Sequence, residues 1–310
     1  MNRKLIAILC VFLMVVSSSL VISAKEIIVY ESPVYELANI YDVDNLIMEK
    51  YQRYAEYIKA NENIHSRTVA EDGDYGLNES DILSLTAEDW IEVERLTELN
   101  AESKDIPVNG IENNQYAASL IKSIASSKNE SIPSPRVNIG GFEVNNVELS
   151  LALAHPIEFT WYSTISVDAD DMADSKYTDG SNWYNGNGDA FRHISWSALL
   201  YCKFYDENGS SHTEAENHTL LWTNAHEGYN ENEAPSAFDE SLGLETRMDL
   251  YNNLMGMLLA EIRIDMNSYT ESIIFERAET WVDDGKGKRI DAVNGVDQLV
   301  ATTNSEKRPS

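Results

Sequence analysis

Nearly every long apolar stretch of this chain repeats at the 3.6-residue period of an α-helix, which restricts the fold to a mainly α architecture. Val43 to Lys59 places Ile47, Tyr51, Tyr54, Ala55 and Ile58 at helical spacing. Thr86 stands three residues before Asp89 in a capping pattern, ahead of Trp90, Ile91 and Leu96. Tyr116 to Ala125 puts Ala117, Leu120, Ile121 and Ile124 on one face. Short alternating patterns occur only near residues 137–145 and 287–302, so a small β element is expected at the C-terminal tail. The expected fold is an N-terminal helical region followed by a C-terminal α-helical domain.

The N-terminus reads as an export signal. Asn2-Arg3-Lys4 precedes an unbroken apolar run from Leu5 to Val16, then three serines and the small pair Ser23-Ala24. Residues 1–23 are expected to be removed, which leaves a secreted or extracytoplasmic chain with no stable membrane insertion. Removal also leaves Cys202 as the one cysteine, so no internal disulfide can form. Cys202 shares a helical stripe with Ile194 and Ala198 and reads as packing. The helical region spans 24–127. Lys128 to Arg136, with two prolines, two serines and no periodicity, reads as a linker. A second domain is expected over 137–303, followed by a 304–310 tail. Pro156 suits the first position of a helix there.

The charge excludes one class of partner. The chain holds 23 basic and 52 acidic residues, a net −29, and a phosphate backbone is repelled by such a surface. Between Lys203 and Arg247 there is no lysine or arginine, which reads as an acidic, solvated surface.

Three segments combine apolar periodicity with polar chemistry. In residues 185–200 a Gly- and Asn-rich turn runs into a helix, with Asp189 near its start, His193 four residues on, and Arg192 beside Trp196. Residues 222–227 close a helix on which His218, Trp222 and His226 share a stripe, and Glu227 follows. In residues 247–256 and beyond, Asp249, Asn253 and Gly256 line a stripe beside Met248, Tyr251 and Met255, with Asn252 at its border. Gly256 leaves room for a neighbouring helix. Inward-facing polar groups need partners, because an unpaired one costs on the order of 1–3 kcal/mol. The three segments are therefore expected to meet. Familiar motifs fail: 185–196 lacks the glycine and the final glutamate of a calcium loop, and His226-Glu227 lacks the second histidine of a zinc-protease helix.

The order GDAFRHxxWxALL, AHE and MDLxNNxxG resembles a bacterial domain family of unknown function, over roughly residues 145–303. Leu153-Ala154-His155-Pro156 and the Gly287–Thr302 tail are similar to that family as well. The chain departs from it at Ile194-Ser195, Ser197 and Met257. The resemblance implies a domain and its motifs but no reaction. Three readings stay open. The first, placed foremost, is a non-catalytic helical module locked by a polar network. The second is a metal-dependent hydrolase with His193, His226 and Asp249 as ligands of one zinc or manganese ion, and Glu227 and Asp189 as catalytic groups. Arg192, Trp196, Asn252, Asn253 and Gly256 would support that site. The third is a metal-free hydrolase or toxin-like effector, with His193 as base and Asp249 or Asp189 orienting it.

Overall fold

The computed structural model describes residues 40–71, 75–128, 137–139, 142–177 and 184–304. The expected export signal, residues 129–136 of the linker and residues 305–310 lie outside this set. Among the described residues there are ten helices and two antiparallel hairpins, so the fold is mainly α as the periodicity demands. The first four helices are α1 (Ile40–Glu71), α2 (Glu79–Leu83), α3 (Ala87–Lys104) and α4 (Ile111–Lys128). A hairpin of β1 (Val137–Ile139) and β2 (Phe142–Val144) follows. Then come α5 (Asn146–Ala154), α6 (Pro156–Lys176), α7 (Asn187–Glu207), α8 (His212–His226), α9 (Leu244–Asp265) and α10 (Glu271–Asp283). The tail forms the hairpin β3 (Lys288–Val293) and β4 (Val296–Ala301).

Local chemistry sets the helix starts. Thr86 and Asp89 form a full capping box on α3, and Asn145 and Glu148 form one on α5. Pro156 opens α6, where a missing N–H costs nothing. Asp189, in the first turn of α7, reaches back to accept the Asn185 backbone N–H at 2.8 Å, where a carboxylate also meets the positive end of the helix dipole. At the tail, Asn294-Gly295 joins β3 to β4 with both residues at positive φ, 55° and 78°, the turn that Asn-Gly hairpins favour.

Helix α7 is the hub. It packs against α6, α8, α9 and α10 and is buried on every side over Asn187–Ala190 and His193–Cys202. Polar side chains in that stretch are cut off from water: Ser195 and Ser197 donate to carbonyls one turn back, whereas Trp196 Nε1 has no hydrogen-bond partner. The α9 backbone lies directly on α7 at Gly256, where a Cβ would overlap the Ile194 carbonyl oxygen and Ser197 Oγ. Cys202 is buried and burial pushes its thiol up, in keeping with packing.

One hydrophobic core runs from Val43 to Val282. Ile47, Tyr51, Tyr54 and Ile58 of α1 enter it, whereas Ala55 of the expected stripe is exposed. The nearly inaccessible Lys50 donates to Glu261 at 2.7 Å, with Glu216 at 3.4 Å, and Tyr251 donates its hydroxyl to Asp44 at 2.8 Å. These contacts bind α1 across α8 and α9. The tail hairpin is held as firmly. Asn252 clasps Lys288 by both its N–H and its carbonyl (2.9 Å each), Thr302 donates to Val282, and Asn187 meets both backbone groups of Thr303. No described helix is long and apolar enough to cross a membrane.

Candidate functional site

The inward stripe of α7 brings His193 fully under cover. Its Nδ1 lies 3.0 Å from Asn253 Oδ1 on α9, and its Nε2 lies 2.7 Å from Arg192 Nη2. A guanidinium can only donate, so Nε2 is the bare nitrogen and Nδ1 carries the hydrogen that Asn253 accepts. Burial and the Arg192 charge hold His193 well below the usual histidine range, so the ring is neutral. Arg192 also donates to Asp189 Oδ1 through Nε (3.1 Å) and Nη2 (2.8 Å), and Asp170 stands 3.6 Å away. Burial works against the Asp189 carboxylate, but the Arg192 charge, with the Asn185 backbone N–H, outweighs it and holds its pKa down.

Asp249 approaches from α9. Its Oδ1 is 3.2 Å from the bare His193 Nε2, and that oxygen is buried without a hydrogen-bond partner. Burial, then the nearby Glu227 and Asp189 charges, push this carboxyl well above the ordinary range. One ligand atom each from Asp189, His193 and Asp249 lies within 4.8 Å of the other two, a set able to hold a metal ion. Asn253 would fix the tautomer of the histidine ligand from behind.

His226 ends α8 with its ring centre 6.1 Å from that of His193, and both rings stand edge-on to Trp196. Its Nδ1 faces Glu148 Oε1 at 2.8 Å, with the Tyr162 hydroxyl 3.1 Å away. Tyr162 donates to the same Glu148 oxygen. Burial opposes the charged ring, yet Glu148 prevails and raises the His226 pKa. Glu227, just beyond, is driven by burial up to about 7, against His226 and Arg192 and with help from Asp189 and Glu148.

The structure thus gathers Asp189, Arg192, His193, Trp196, His226, Asp249 and Asn253 around one point, with Glu227 at its edge. It turns others elsewhere. Asn252 clasps the tail hairpin rather than facing the cluster, and Gly256 acts one turn on by admitting α7. Arg192, placed by sequence beside Trp196, bonds Asp189 one turn back. His218, on the same stripe as His226, pairs with Glu158 of α6 at 3.1 Å. Sequence reasoning missed Glu148, Tyr162 and Asp170. The Asn145-x-x-Glu148 spacing signals a helix cap, but nothing in it points to a histidine 78 residues later.

Residues 149–286, somewhat under half of the chain, match the model of a family described as "Domain of unknown function (DUF6973)". The C-terminal part of the chain therefore carries a domain of unknown function, in line with the resemblance drawn from its motifs. No curated protein and no solved structure matches the chain.

Proposed function

We propose that this domain holds one divalent cation between Asp189, His193 and Asp249 and is a metal-dependent hydrolase in which Glu227 is the base for the attacking water. The observation that carries the reading is Asp249 Oδ1: buried, without a partner, and beside a bare imidazole nitrogen. Asp189 and His193 each offer a ligand atom within 4.8 Å of the one Asp249 offers. Two carboxylates and a neutral imidazole suit zinc or manganese. Such an ion supplies Lewis-acid chemistry and a water acidic enough to attack near neutral pH. Glu227, poised at about 7 on the partly open edge, has the proton affinity a general base needs. His226 lies beside this donor set rather than in it: the atoms within 4.8 Å of one another come from Asp189, His193 and Asp249.

One contact favours the non-catalytic network instead. Arg192 Nη2, 2.7 Å from His193 Nε2, takes the lone pair a metal would use. In the cation reading the guanidinium must settle on Asp189 and Asp170 alone. Elemental analysis of protein purified without chelator decides between them. One equivalent of zinc or manganese, lost in His193→Ala and in Asp249→Asn with the circular dichroism spectrum preserved, is the expected result. A stable, metal-free protein whose melting temperature does not respond to added Zn²⁺ or Mn²⁺ overturns it.

The leader-like residues 1–23 support a site that works outside the cytoplasm. Mass spectrometry of the mature protein should find an N-terminus at residue 24 or 25, and a cytosolic protein that keeps residues 1–23 would refute export.

A further inference from the structure

We propose that Glu148 and Tyr162 hold His226 as the proton donor of this site, with Nε2 as the working nitrogen and Glu148 as the positioning residue. The inference rests on the hydrolase reading and gives it an acid to complement Glu227. Glu148 is wholly inaccessible to solvent, and both its oxygens are committed. Oε2 accepts the Asn145 backbone N–H at 2.5 Å, which closes the capping box of α5. Oε1 receives Tyr162 and faces His226 Nδ1 at 2.8 Å.

A carboxylate can only accept, so it fixes the hydrogen on Nδ1 and aims the ring. The cap does more than start a helix, because it pins the carboxylate that does the aiming. Further support comes from Asn145, whose Nδ2 donates to the carbonyls of Ala225 (2.7 Å) and His226 (3.0 Å). The same box therefore grips both the side chain and the backbone of the α8 terminus. Nε2 is left for chemistry: the side chain is 21% exposed, whereas Glu148 beneath it is sealed.

In the hydrolysis this implies, Glu227 takes one proton of water and the water oxygen bonds to the electrophilic atom. His226 gives its Nε2 proton to the departing oxygen or nitrogen, so the sum is one bond cleaved and one water consumed. His226 and Glu227 are consecutive residues, so acid and base sit on one chain turn.

The test needs no substrate. Two-bond ¹H–¹⁵N spectra of chelator-treated full-length protein, at a pH where the ring is neutral, should show His226 with its hydrogen on Nδ1 and Nε2 bare. Glu148→Gln keeps the cap, since glutamine serves in a capping box. Its amide can donate to Nδ1, so the hydrogen should move to Nε2. Acylation of His226 by diethyl pyrocarbonate, read by peptide mass spectrometry, should slow at least tenfold in that variant. A wild-type ring protonated on Nε2 overturns the proposal without any variant. So does a folded Glu148→Gln protein with unchanged tautomer and reactivity. Failure of the cation reading looks different: a metal-free wild type with the Nδ1 hydrogen in place.

Discussion

On helix α8, His218 and His226 stand two turns apart, each set against a buried glutamate, and their surroundings differ in charge balance. His218 meets Glu158, whose second oxygen accepts Trp222 Nε1 at 2.9 Å, while Phe204 packs on the imidazole. One cation answers one anion, and both glutamate oxygens are used. Around His226 and His193, five carboxylates (Glu148, Asp170, Asp189, Glu227 and Asp249) face one guanidinium and one imidazolium. The first region is balanced in charge as it stands. The second meets its surplus by keeping Asp249 and Glu227 protonated far above the ordinary range. Buried polar residues are thus no guide to function by themselves; an unbalanced set of them is.

The largest effect should come from breaking the balanced region. Glu158→Ala strands His218 and Trp222 Nε1, and loss of one partner of a buried pair costs about 3–5 kcal/mol. Chemical denaturation should register that loss, while cation binding at the other region stays intact. A loss below about 1 kcal/mol would mean that the balanced pair is no anchor at all.

Asn253→Ala acts on the unbalanced region. It removes the acceptor that fixes the His193 tautomer, and such changes behind a metal ligand cost about 10–100-fold in affinity. Titration with Mn²⁺ should show a weakening of that order with little change in melting temperature. The reverse pattern, a large stability loss with affinity unchanged, would reduce Asn253 to packing.

Gly256→Ala tests the contact that brings α9 onto α7. Overpacking of this kind costs about 1–3 kcal/mol, and here the obstacle includes the Ile194 carbonyl, which a side-chain shift cannot relieve. Both stability and cation affinity should fall, because Asp249 and Asn253 ride on the displaced helix.

The smallest effect is one of pH, and its sign differs between the regions. Burial opposes the Glu158 carboxylate, but His218 wins and lowers it to about 2, so its contribution is present above the ordinary 4.5 and lost as pH falls towards 2. The partner imidazole is raised above 6.5 by the same pair, so its contribution is full below 6.5 and lost as pH rises through the raised value. Glu227 runs the other way. Lifted from 4.5 to about 7, it stabilises the fold when protonated, and that gain disappears as pH climbs from 4.5 to 7. Melting temperature should therefore decline between pH 5 and 8, and saturating Mn²⁺ should flatten the decline. An unchanged slope with Mn²⁺ present would detach Glu227 from any cation site.

Much of this was legible in the chain. The inward aim of His193 follows from its place between Asp189 and Ser197 on an apolar stripe, and that of Asp249 and Asn253 from theirs. The tail hairpin shows in its alternation. Pairings across long stretches of sequence were not legible. Glu148 and His226 belong to separate helices, and periodicity orients a residue on its own helix without naming the neighbour. The reach of Arg192 was not legible for a related reason: its long side chain bonds the Asp189 charge one turn back, a choice that spacing alone does not make. Asn252, at the border of its stripe, lay where the period does not choose a side.

The α1 clasp has a practical consequence for anyone cutting this protein. A fragment trimmed to the matched residues 149–286 would begin one residue after Glu148. It would strip Lys50 from Glu216 and Glu261, and unroof the aromatic rings of Tyr251 and Phe238 that α1 and Lys288 cover. Such a fragment should come out insoluble or loosened in its α8–α9 region, and its inactivity would say nothing about the intact chain. The stretch by which relatives are recognised is shorter than the stretch that must be made together.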